Sequence, residues 1–181
     1  MYCSAKTTDR VYLTPDLLTK FAFIARALVG AIIETKKESD MMGLGAYVFH
    51  EGQTDFVGQT MHQPRITLSA SIDVDKFYAK ESPEMDWRKI PRDNIYTFLV
   101  YHEMGHVLLG PKPRIIRNTD GSKNDNESEL FVAASELRAD RFAWKALFPH
   151  EPLPVRRDKE RTVQLVEAYI RDHKEFYADK I

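Results

Sequence analysis

The chain of 181 residues is 43% hydrophobic and 29% charged, with a formal net charge of -1 and a sequence pI near 6.6. These values fit one globular domain over residues 1–181 and exclude the disordered and fibrous classes. They supply no positive field for nucleic acid or an anionic membrane, so neither is expected as a partner. The only cysteine, Cys3, leaves no intramolecular disulfide and no cysteine-rich metal site. Together with a polar N-terminus that lacks a secretory pattern, it makes a cytoplasmic location the expectation.

Thr14-Pro15-Asp16 reads as a helix start: a hydroxyl N-cap, a proline at the first helical position and an acid in the first turn. The helix is expected to run to about Lys37. The apolar run from Phe21 to Ile33 is too short to span a bilayer and is interrupted by Arg26, so it reads as a buried core helix. Gly43-Leu44-Gly45 reads as a turn, since no phosphate-binding motif accompanies it. Residues 46–50, 55–59 and 65–72 then read as short strands. In the third, Ile66, Leu68, Ala70 and Ile72 alternate with polar residues, the pattern of one half-buried strand.

Pro91-Arg92-Asp93-Asn94 marks the start of the next helix and Gly110-Pro111 its end. Residues 111–127 are polar and read as an exposed loop. A helix follows from Asn126 to about Leu147, with Leu130, Phe131, Ala134 and Leu137 facing a core. A terminal helix over 158–178 carries Val163, Val166, Ile170 and Tyr177. Helices flanking a block of short strands predict an α+β fold.

The segment His102-Glu103-Met104-Gly105-His106 lies on the predicted helix. Histidines at i and i+4 share a face, so both imidazoles reach one metal ion, while Glu103 sits about 100° around the helix and addresses a metal-bound water as general base. With 6 His and 13 Glu among 181 residues, shuffling gives this pattern in roughly one sequence in seventy, so context must add to it. A catalytic zinc site needs a third protein ligand and an open position. The next helix offers Glu136 and Asp140, again at i and i+4. Glu136 serves as the third ligand, and Asp140 orients a ligand histidine through its other ring nitrogen. The bland reading of both acids is pairing with nearby arginines or solvent. Gly105 costs about 1 kcal/mol in a helix relative to Ala and signals close approach of a neighbouring backbone.

HExxH followed by Glu136-x-x-Ala139-Asp140 resembles the gluzincin peptidases, in particular the minigluzincins and the ImmA/IrrE-like peptidases. The resemblance covers residues 65–144. It implies a small twisted mixed sheet of about three strands packed on the active-site helix, with further N- and C-terminal helices. It also implies one Zn2+ held by His102, His106 and Glu136, Glu103 as catalytic acid/base, and Asp140 beside a ligand. The metzincin extension requires Gly at 109 and His at 112; Leu109 and Lys112 stand there instead. His50, His62, His150 and His173 lack paired spacing and read as structural. Gluzincins often use a His or Tyr to stabilise the oxyanion, for which His150, Tyr169 and Tyr177 are candidates by position alone. The expected activity is hydrolysis of peptide bonds, with an extended peptide or protein substrate added as a strand to 65–72 if that strand lies at the sheet edge. The rival readings are a catalytically silent or latent binding protein on the same scaffold, and a structural zinc site with four protein ligands.

Overall fold

The computed structural model describes residues 9–41, 45–51, 53, 58, 60–109 and 125–174. After β1 (Arg10–Tyr12), the Thr14 hydroxyl accepts from the Leu17 N–H at 3.3 Å and opens helix α1 (Pro15–Val29). The helix does not reach Lys37. Gly30 adopts φ 66°, a left-handed cap that returns its N–H to the Ala25 and Arg26 carbonyls. Ile32 and Ile33 then enter strand β2 (Ile32–Lys36). The continuous greasiness of 21–33 therefore conceals a helix, a cap and a β-branched strand start.

Strand β3 (Ala46–Phe49) appears where expected, whereas the expected strand over 55–59 lies outside the described residues. The expected strand over 65–72 is two strands. β4 (Arg65–Ser69) is the centre of a three-stranded mixed sheet, parallel to β2 and antiparallel to β3, with Ile66 opposite both Ile33 and Val48. β5 (Ser71–Asp73) leaves that sheet and pairs antiparallel with β1. The switch falls at Ala70, whose N–H bonds the Lys36 carbonyl at 2.8 Å while its carbonyl accepts from Leu13 at 3.1 Å. Nor is β4 half-buried: Ile66, Thr67, Leu68 and Ser69 are all buried, as a strand flanked on both edges and covered on both faces requires. Among the described residues the edges of this sheet are β2 and β3.

After a short helix α2 (Val74–Tyr78), helix α3 (Ile95–Leu109) packs on β3, β4 and α1 through a core that includes Ile95, Phe98 and Leu99. The buried Tyr96 hydroxyl donates to the Ser69 carbonyl at 2.8 Å, tying α3 to the central strand. On its other side α3 meets α4 (Asp125–Leu147). α4 in turn buries Phe131, Ala134 and Leu137 against Val166 of α5 (Glu160–Asp172). The expected loop 111–127 and Tyr177 fall largely or wholly outside the described residues. The architecture is α+β, with a small mixed sheet packed on α3 and helices at both ends.

The contact between α3 and α4 depends on one missing side chain. A Cβ on Gly105 would stand 2.9 Å from the Ala139 Cα, so only glycine lets the two backbones approach this closely. The crossing sets His102 and His106 of one helix against Glu136 and Asp140 of the other.

Candidate metal centre

His102 and His106 project from the same face of α3, with their Nε2 atoms 3.0 Å apart. Glu136 reaches across from α4, its Oε2 lying 3.2 Å from His102 Nε2 and its Oε1 3.4 Å from His106 Nε2. One ligand atom from each residue falls within 4.8 Å of the others, and this is the group among the described residues that could hold a metal ion. Two nitrogens about 2.0–2.1 Å from a tetrahedral ion stand roughly 3.3–3.4 Å apart, so small side-chain adjustments bring the two imidazoles to bonding distance.

The hydrogen-bond pattern gives an independent test of fit. His102 Nδ1 lies 2.9 Å from Asp140 Oδ1. The other oxygen of Asp140 accepts from the Ser82 hydroxyl and from Trp87 Nε1, the latter at 3.3 Å. A carboxylate so placed acts as an acceptor and requires the proton on His102 Nδ1, which directs the Nε2 lone pair of the neutral ring toward His106 and Glu136. His106 Nδ1 is likewise engaged, 2.9 Å from Ser135 Oγ. With both outer nitrogens engaged, the two Nε2 atoms and a carboxylate converge on one point, a donor set that suits a divalent cation with open positions.

Without a cation, protons take up that role. Burial pulls the His102 imidazole down, but its bonds to Asp140 and Glu136 overcome this and hold it well above its usual range. Burial also raises the Glu136 carboxyl, and the two imidazoles outweigh it and hold the group well below the usual carboxylate range. Glu103 behaves differently. It is 6% exposed, and burial raises its carboxyl against the opposing pull of His106, His102 and Lys80. A carboxylate that holds a proton more readily than usual suits proton transfer in both directions.

These groups line a cleft of about 510 Å³ whose walls include Ala46, Tyr47 and Val48 of β3 and Phe131 and Val132 of α4. The five residues expected from the sequence are thus brought together. Ser82, Trp87 and Ser135, which engage the outer atoms of Asp140 and His106, were not expected. Ser135 carried a signal in its place beside Glu136, whereas Ser82 and Trp87 arrive through chain folding alone. Also unforeseen are Lys80 and His50, which both line the cleft, so His50 is not merely structural in position. The positional candidates for an oxyanion donor fare otherwise. His150 is exposed beyond the end of α4, Tyr169 packs in α5 on the His173 ring, and Tyr177 lies outside the described residues. Neither described residue lines the cleft.

Compared with protein-family models, curated proteins and solved structures, the chain gives no match. Among the described residues no helix is long and apolar enough to cross a membrane.

Proposed function

We propose that the chain is a zinc-dependent peptidase of the gluzincin type. The observation that carries this reading is the convergence of His102, His106 and Glu136 at one point of a cleft that also contains the buried carboxyl of Glu103. A structural site would be closed by a fourth protein ligand, and among the described residues the group has three. His102, His106 and Glu136 would hold the ion, which when bound supplies an acidified water and polarisation of a carbonyl.

The remaining chemistry belongs to the side chains. Glu103 takes a proton as the water oxygen bonds to the peptide carbon and the carbonyl π pair passes to its oxygen. On collapse that pair re-forms the carbonyl, the C–N bond breaks, and Glu103 gives its proton to the departing nitrogen. Asp140 keeps His102 in one tautomer throughout. The strand that favours substrate docking is β3 rather than β4, because of the two edge strands, β2 and β3, it is β3 that lines the cleft, so an extended peptide added there would cross the centre.

The test is metal analysis of the purified protein followed by cleavage profiling on a peptide library. The expected result is about one zinc per chain and a cleavage activity that a chelator abolishes and zinc restores. Zinc without cleavage of any peptide would favour a silent binding protein on the same scaffold.

A further inference from the structure

Hydrolysis through a tetrahedral state places negative charge on the former carbonyl oxygen, and a positioned cation or donor facing that oxygen stabilises it. Lys80 is the one lysine or arginine lining the cleft among the described residues. It stands where Glu103 and Glu136 both act on its charge, and it forms no ion pair among the described residues. Its ammonium instead lies 5.7 Å from the centroid of the Trp87 ring, the indole that bonds Asp140.

The backbone carrying Lys80 is fixed on both sides. Its own N–H bonds the Phe77 carbonyl at 3.2 Å, at the end of α2. Two residues on, Ser82 donates to Asp140 and accepts from the N–H groups of Glu84 and Met85. The Glu84 carboxylate is held by Arg141 through contacts of 2.6 and 2.7 Å, and the segment continues into a short pairing of Met85 with Val155. The residues that orient the metal ligands therefore also fix the lysine. A lysine on a free surface loop would lose much of its rotamer freedom on binding an anion; here backbone anchoring and the Trp87 ring have already restricted it. Burial holds the Lys80 ammonium below its usual range, and the pull of Glu103 and Glu136 offsets this only in part.

We propose that Lys80 is a further catalytic residue, the cation that faces the oxyanion formed on the substrate carbonyl at this centre. The proposal rests on the peptidase reading and adds a residue to it. The electron pair that leaves the carbonyl π bond comes to lie on the oxygen that the Lys80 ammonium faces. Lys80 keeps its protons throughout, and proton transfer stays with Glu103.

The experiment compares the wild-type protein, Lys80→Met and Lys80→Arg, each loaded with zinc. Zinc content is measured first. Binding of a dipeptide phosphonamidate, an anionic tetrahedral analogue, is then measured by calorimetry against the parent dipeptide amide, and turnover is followed on a cleaved library peptide. Lys80→Met is expected to keep its zinc, to bind the phosphonamidate about 10–100-fold more weakly with little change for the amide, and to lose kcat rather than KM. Lys80→Arg is expected to recover most of both. Equal phosphonamidate affinity in wild type and Lys80→Met would overturn the proposal. So would a loss confined to KM for peptides with an acidic side chain or a free C-terminus, which would make Lys80 a carboxylate subsite. Loss of zinc from Lys80→Met would reduce the residue to support of the metal site. A wild-type protein that takes up no zinc would instead overturn the peptidase reading beneath it.

Discussion

Gly105 and Ala139 meet backbone to backbone, and the place where they meet decides whether α3 and α4 can share a metal centre. A Cβ at position 105 would lie 2.9 Å from the Ala139 Cα and 3.3 Å from its Cβ and carbonyl oxygen. Gly105→Ala gains about 1 kcal/mol of helix propensity. It also forces the helices apart in a packed core, which typically costs about 1–3 kcal/mol. The variant is expected to show a lower denaturant midpoint and weaker zinc binding. A stability above wild type would show that the contact can relax.

Asp140 is 1% exposed and joins His102 to Ser82 and Trp87. Asp140→Asn keeps the shape but removes the charge that fixes the proton on His102 Nδ1. Zinc affinity is expected to fall about 10–100-fold, as for other partners of ligand histidines. Competition against a chromophoric chelator measures it, and an unchanged dissociation constant would remove Asp140 from the metal site.

Arg141 spans Glu84 and, at 2.7 Å, Glu167 of α5. Glu84 is 4% exposed, so Arg141→Met strands a buried carboxylate. Arg141 itself is 40% exposed, and solvent softens the loss to about 1–3 kcal/mol. Chemical denaturation reads this directly. Adding Glu84→Gln to Arg141→Met is expected to recover part of the stability, because it removes the orphaned charge. A double variant no more stable than Arg141→Met would mean that the pair contributes through packing alone.

The chelator-treated protein should have a stability maximum in mildly acidic solution. His102, raised from an ordinary 6.5, contributes stability that is fully present below that value and is lost as pH rises through its folded-state value. Glu136, lowered from an ordinary 4.5, contributes stability that is present above that value and is lost as pH falls toward its folded-state value. Both contributions are complete between about 4.5 and 6.5. Thermal unfolding across pH checks the window. Zinc, by replacing the shared proton, should reduce the loss on the alkaline side and release protons on binding. A melting temperature that rises through neutral pH in the chelated protein would contradict this assignment.

The grouping of the site residues was legible in the sequence because it is written in helical periodicity. His102/His106 and Glu136/Asp140 are each an i, i+4 pair, and Gly105 stood out as a helix residue with a packing role. The strands were less legible. Alternation of apolar residues runs unbroken from Ile66 to Ile72, yet both faces of β4 are buried and the chain changes sheets at the exposed Ala70, because alternation carries no record of which strand is bonded. Likewise the run 21–33 conceals the left-handed turn at Gly30, and it is not a buried helix: in α1 only Phe21 and Ala25 are buried, while Phe23 and Leu28 are exposed. Ser82, Lys80 and Trp87 were invisible for another reason: their roles arise from contacts such as Ser82 to Asp140, 58 positions apart, for which local pattern carries no signal.

Glu103→Gln separates metal binding from proton transfer at this centre. The amide preserves the size of the buried side chain beside the metal ligands but cannot take up a proton from water. The variant is expected to bind zinc with wild-type stoichiometry while its peptide cleavage, followed by mass spectrometry, falls by about 100-fold or more. Wild-type cleavage by the zinc-loaded Glu103→Gln protein would contradict the role of Glu103 as general base.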